Sequence, residues 1–207
     1  AIGSLIALQA LLERRGKKAL AYDQDGVPDI YRFLEGAGRI TSAIEERENF
    51  DAVVFIECPT AARAGTRHER VWESIPFWIN IDHHVDNSRF GHLNLVDAEL
   101  SAIGELVYEL YVALEEPVET AVAGALYTAI MTDTGSFRFP NTTPRAHIIC
   151  SELLMEGIQP NVIYEKIYEN VSRPAALINA RAHGTLEILE QISCITITRE
   201  MLAEAGA

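Results

Sequence analysis

The sequence predicts an α/β fold with a parallel sheet covered by helices on both faces, and three observations carry that prediction. Residues 50–58, "FDAVVFIEC", and residues 76–82, "PFWINID", are apolar runs without polar alternation, the pattern of strands buried on both sides. A helical stretch precedes the first run, and from Glu99 onward the apolar spacing is helical, so β-α alternation opens the chain and helices follow. Of the 207 residues, 48% are hydrophobic, enough to fill a substantial core.

Taken in order, residues 2–15 carry Ile2, Leu5, Ile6, Leu8, Leu11 and Leu12 at helical spacing, with Arg14, Arg15 and Gly16 as a stop. Residues 18–22 read as a strand, and "PDIYRFLEGAGRI" as a short helix ended by glycines. After the two apolar strands come the helical segments "ELSAIGELVYELYVALEE", "VETAVAGALYTAIMTDTG", "PRAHIICSELLMEG" and "NVIYEKIYEN". A long helix is expected over residues 174–191, leading into the β-like "ISCITITREM". These features place a domain boundary near residue 175, with residues 1–175 as the first domain and 176–207 as a linker helix and the beginning of a second α/β domain. The chain opens already helical and without an initiator Met, which reads as the middle of something longer.

Composition narrows the function. With 17 basic and 30 acidic residues the formal charge is −13, which argues against broad electrostatic binding of polyanions and against double-stranded DNA as a partner. Cys58, Cys150 and Cys194 are odd in number and widely spaced, so neither a disulfide framework nor a thiolate zinc site is expected, and a reducing cytoplasm fits. No run of about 18 apolar residues predicts a membrane span, and no basic leader predicts a signal peptide.

Polar, metal-capable groups follow apolar runs at three places. Glu57 ends "AVVFIE", Asp82, His83 and His84 end "FWINI", and Asp133 ends "ALYTAIMT". Ligands of open α/β sheets collect outside the carboxyl ends of strands, so Glu57 and residues 82–84 are expected to face one crevice. An imidazole with several carboxylates suits Mn²⁺, Mg²⁺ or Fe²⁺, and two such ions about 4 Å apart would stabilise the attacking and leaving oxygens of a phosphoryl displacement. The bland readings stand beside this one. Glu57 alone is also what a solvated residue or a helix cap looks like, and Asp133 is also what opens the turn "TDTG". Arg63 and Arg138 are candidates to hold a phosphate, or surface arginines; Ser136, Thr142 and Thr143 read as caps for the helix starting near Pro144.

At these residues the chain resembles the DHH phosphoesterase family, named for its Asp-His-His triplet. The stretches "FIECPTAARAG", "NIDHHVDNSRFGHLN", "VDAELSAIGELVYEL" and "LYTAIMTDTGSFRFPNTT" occur in the family's order over about residues 1–175. The resemblance is greatest to the branch that degrades very short oligoribonucleotides and dephosphorylates adenosine 3′,5′-bisphosphate. It implies that Glu57 stands where the family has a metal-bridging Asp, that His83 and Asp133 are further metal ligands, and that His84 contacts the scissile phosphate. Asp82 would orient the histidines. It further implies two Mn²⁺ ions, with Mg²⁺ as the alternative, and short RNA or a nucleotide as the partner, with a homodimer left open. The family's first motif, a His followed by Asp-x-Asp, would lie just before "AIGS", so half of the ligand set is expected outside this sequence, as is the family's C-terminal substrate domain. Exchange of Asp for Glu at 57 leaves a second reading, a nucleotide-binding or regulatory module with impaired catalysis.

Overall fold

The computed structural model describes residues 1–45 and 49–206. They divide into two compact units, Ala1–Ile163 and Tyr164–Ala207.

The first unit is a parallel sheet flanked by helices. Its strands are β1, Val53–Ile56, β2, Trp78–Asp82, and β3, Leu93–Val96, in the order β1-β2-β3. Both pairings are parallel, with Phe55 opposite Asn80 and Asp82 opposite Val96, so the strands present their carboxyl ends at one edge. The apolar runs of the sequence thus become β1 and β2. The strand β3 lay outside the sequence expectation because "LNLV" is short and follows the turn-prone Gly91 and the polar His92.

Helix α1, Ile2–Arg14, packs on α4, Thr120–Asp133, which also contacts α3, Ile103–Ala113, and α5, Pro144–Met155. Helix α4 is apolar on nearly every side, as a helix surrounded by other helices must be, and Ala123, Ala125, Leu126 and Ile130 are fully buried. Small residues set the close approach. A Cβ on Gly3 of α1 would lie 2.1 Å from the Ala125 carbonyl oxygen, and one on Gly104 of α3 3.1 Å from the Ala129 Cβ. On β1, Phe55 packs with Cys58, Trp72 and Ile75, where α2, Glu69–Glu73, and the residues after it cover the strand.

Three expectations are corrected. Residues 18–22 form no full strand: Tyr22 makes a single parallel bridge with Thr41. The stretch expected as a short helix holds two 3₁₀ turns, Asp29–Tyr31 and Ala37–Arg39, since Gly36 takes a left-handed conformation (φ 93°) between them. In the second unit the helix expected over residues 174–191 ends early. After α6, Pro160–Tyr164, helix α7 spans Arg173–His183, then Thr185 accepts a hydrogen bond from the Thr196 N–H and donates one to the Ala182 carbonyl, clamping the base of a hairpin. That hairpin pairs β4, Glu187–Leu189, with β5, Ile192–Cys194, antiparallel, and α8, Arg199–Ala205, follows. No helix among the described residues is long and apolar enough to cross a membrane.

Candidate active site

The residues singled out in the sequence meet at the carboxyl end of the sheet. Glu57 leaves β1 in a left-handed conformation (φ 54°), which a side chain other than glycine adopts only when its surroundings hold it there. Its carboxylate accepts a hydrogen bond from Ser4 Oγ at 3.2 Å and an ion pair from the Ala1 ammonium at 2.6 Å. Asp133 ends α4, and its Oδ2 lies 3.8 Å from His83 Nε2.

The two histidines are held differently. His83 Nδ1 stands 3.1 Å from the Leu100 carbonyl oxygen, which can only accept, so Nδ1 carries the hydrogen and Nε2 keeps its lone pair toward Asp133. His84 Nδ1 stands 2.7 Å from Asp82 Oδ1, and by the same argument donates to it. The other Asp82 oxygen accepts from Asn87 Nδ2 at 2.5 Å. Asp82 is fully buried, whereas the His84 side chain is 42% exposed, so a buried anion fixes the ring while its Nε2 edge reaches the open side. Asp82 therefore orients only His84, and a backbone carbonyl orients His83.

Electrostatics separate the two aspartates. Burial works to raise the Asp82 carboxyl, but hydrogen bonds from His84, Asn87 and the His83 backbone N–H outweigh it and hold the group below its ordinary range. For Asp133, burial and the negative charge of Glu57 prevail over the Ala1 ammonium, His83 and His84, and its carboxyl is pushed up to about 6. Its Oδ2 is buried without a hydrogen-bond partner. Cys58, beside Glu57 in sequence, is driven to about 11 by burial and then by Asp82 and Glu57, so its thiol is no nucleophile at neutral pH.

Among the described residues, no group of three His, Cys, Asp or Glu side chains is spaced to hold a metal ion. The donors fit a hard or borderline cation in kind: an imidazole lone pair, an unpartnered carboxylate oxygen and a second carboxylate whose charge Asp133 feels. They present part of a ligand set rather than a closed one.

Arg63 lines a groove together with Glu57. Arg138 spends its Nε on the Gly135 carbonyl, 2.9 Å away, in its own turn. That turn is left-handed at Gly135, Ser136 and Phe137 (φ 55°, 59° and 63°). Thr143 caps α5 by accepting from the Ala146 N–H, as its position before Pro144 suggests. Ser4, Asn87 and Leu100 escaped the sequence reading. Asn87 sits close enough along the chain to Asp82 to have been suspected; Ser4 and Leu100 act across folds that no local pattern encodes.

No protein-family model matches the chain. Over its whole length the chain is 30% identical to the bifunctional oligoribonuclease and PAP phosphatase NrnA of Thermus thermophilus, of which it spans 61%. It is 31% identical over 127 residues to the NrnA of Bacillus subtilis, 60% of this chain and 40% of that protein. In structure it resembles an exopolyphosphatase-related protein from Bacteroides fragilis, with a TM-score of 0.89 at 23% identity over all of this chain and 64% of that one, a likeness of fold. A parallel sheet that leads into Asp82, His83 and His84, with whole-length similarity to an NrnA protein, bears out the resemblance to the DHH phosphoesterases.

Proposed function

We propose that the chain forms the catalytic part of a metal-dependent phosphoesterase acting on short oligoribonucleotides and on adenosine 3′,5′-bisphosphate. The observation that carries this reading is the meeting of His83, Asp133 and Glu57 at the carboxyl end of the sheet, with one carboxylate oxygen buried and unpartnered. The names of the NrnA relatives, oligoribonuclease and PAP phosphatase, point to the same substrates.

In this reading Glu57, His83 and Asp133 hold divalent cations, Mn²⁺ by preference or Mg²⁺, with further ligands from outside these residues. Bound there, such cations would supply Lewis-acid charge to make water nucleophilic at neutral pH and to draw in a phosphate despite the protein's net charge of −13. The Leu100 carbonyl keeps His83 in the tautomer whose Nε2 lone pair faces Asp133 and would be available to a cation. Asp82 keeps His84 Nδ1 protonated, so the exposed edge of that ring faces the phosphate and, when charged, offsets negative charge on its oxygens. Arg63, on the groove beside Glu57, is placed to add a second positive group. Residues 176–207 would begin the substrate-binding domain.

The test is release of mononucleotides from a dinucleotide in Mn²⁺ by the longest natural form of the protein, compared with His83→Ala. Loss of turnover in the variant supports the reading, and unchanged turnover defeats it. A second reading, a nucleotide-binding module with little hydrolysis, rests on Glu57 standing where the family usually has an Asp. Tight dinucleotide binding without turnover in that same form would select it.

A further inference from the structure

The carbonyl that orients His83 belongs to a loop. Residues 97–102 join β3 to α3 outside any helix or strand, and the Leu100 N–H reaches the Asp97 carbonyl only at 3.5 Å, too long to hold the turn firmly. The other side of the same peptide is held better. The Ser101 N–H, which shares one rigid plane with the Leu100 C=O, donates to Glu105 Oε1 at 2.8 Å. Because the two groups point in opposite directions from that plane, an acceptor that fixes the N–H also fixes the C=O, and a carboxylate there polarises the carbonyl into a stronger acceptor. Contacts thus run from the Glu105 carboxylate through the Leu100–Ser101 peptide to His83 Nδ1, 3.1 Å from the carbonyl oxygen, and leave Nε2 facing Asp133 Oδ2 at 3.8 Å.

The bland role for Glu105 is to cap α3. A Glu three residues into a helix caps it by accepting from the backbone N–H of the residue just before the helix, here Ala102, and Oε1 does so at 3.1 Å. The shorter bond, to Ser101, lies one residue further out and adds nothing to the helix. A cap also leaves its second oxygen free for water, whereas Glu105 is 1% exposed and its Oε2 is buried without a partner. Withdrawing a carboxylate from water this far costs more than a cap returns.

The same loop reaches Asp133. The Ser101 carbonyl accepts from Asn141 Nδ2 at 3.1 Å, and that Nδ2 also donates to the Asp133 carbonyl at 3.2 Å. Ser101 Oγ donates to the Asn141 carbonyl at 2.6 Å, and Ser101 is fully buried. The segment that aims His83 is therefore tied to the end of the helix that carries Asp133. We propose that Glu105 is the positioning residue of His83: through the Leu100–Ser101 peptide its buried carboxylate holds the carbonyl that fixes the imidazole, and so keeps the Nε2 lone pair turned to Asp133. This role rests on the phosphoesterase reading for its purpose, a lone pair available to a cation, but the orientation itself is readable without metal.

The test is nitrogen NMR of the His83 ring in the metal-free full chain at about pH 8.5, about two units above the ordinary imidazole value, where the ring nitrogens report which of them carries the hydrogen. Glu105→Asp keeps a negative charge at the start of α3 but draws the oxygen back by up to about 1.5 Å, one carbon–carbon bond. Glu105→Gln keeps an accepting oxygen in place. The parent and Glu105→Gln are expected to hold the Nδ1–H tautomer, and Glu105→Asp, folded by circular dichroism, to lower the ratio of Nδ1–H to Nε2–H at least tenfold. The parent's ratio in Glu105→Asp overturns the role and leaves Glu105 a cap. Glu105→Gln gives a second measurement that needs no change of shape. Its amide oxygen accepts more weakly than a carboxylate, so the Ser101 N–H and His83 Nδ1–H proton signals are expected to move upfield together, and a shift at Ser101 alone overturns the role. Neither readout uses turnover or Mn²⁺, so failure here leaves the phosphoesterase reading standing, and loss of that reading leaves the tautomer result standing.

Discussion

Asp82 and Asp133 are both largely withdrawn from water at the same end of the sheet, yet their surroundings are opposite. Asp82 has each oxygen engaged, one by His84 and one by Asn87, and its carboxyl is held below the ordinary range. Asp133 has an oxygen with no partner and a like charge in Glu57, and its carboxyl is pushed up to about 6. The contrast teaches that burial does not decide a carboxylate's role. A saturated carboxylate can only orient what it touches, whereas an unsaturated one beside a second carboxylate still has a lone pair to offer a ligand.

Breaking the unsaturated side carries the largest expected effect. Asp133→Asn removes the charge while keeping the shape, and we expect it to lower kcat for dinucleotide hydrolysis in Mn²⁺ by roughly a thousandfold or more, as loss of a metal ligand does. Next comes the saturated side. Asp82→Asn can present an N–H to the His84 Nδ1 and so disturb its tautomer. We expect about 10–100-fold lower kcat with Mn²⁺ affinity nearly unchanged, measured by steady-state kinetics and metal titration together. A parallel loss of Mn²⁺ affinity would show that the two aspartates do not divide the work.

The scaffold that brings Ser4 to Glu57 can be loosened as well. Gly3→Ala drives a methyl group into the Ala125 carbonyl, and we expect about 1–3 kcal/mol of lost stability, read by denaturant unfolding.

The smallest effect tests the comparison at a third carboxylate. Glu105 Oε1 accepts from the Ser101 and Ala102 N–H groups at 2.8 and 3.1 Å, but its Oε2 is unpartnered, and burial raises its carboxyl above the ordinary value. A raised folded value means its contribution to stability is complete below the unfolded value and lost as pH rises through the folded one. Glu105→Gln keeps the accepting oxygen and removes the charge. Its thermal midpoint is expected to fall less than that of the parent between mildly acidic and neutral pH. An identical fall in both proteins would show that the charge is not the cause.

Much of this was legible in the sequence because burial on both faces of a strand writes itself as an unbroken apolar run: "AVVFIE" and "FWINID" gave β1, β2 and the polar residues that end them. Helix α4 was equally plain from its length. What was not legible depends on partners distant in the chain. The strand β3 forms because β2 offers an edge, not because "LNLV" insists on one. Residues 18–22 look like a strand and are denied a ladder on one side. Helix α7 stops at His183 because Thr185 ties itself to Thr196, which no window around residue 185 contains. In the site, the types of Glu57, His83 and Asp133 could be read, but not that Leu100 would set one imidazole and Asp82 the other.

The claim at the centre is that His83, Asp133 and Glu57 share divalent cations. Titration of the longest natural form of the protein with Mn²⁺, followed by loss of the free-ion electron paramagnetic resonance signal, tests it most directly. The account predicts at least tenfold weaker binding in both His83→Ala and Asp133→Asn, each still folded by circular dichroism. Mn²⁺ affinity equal to that of the parent in both variants would contradict it.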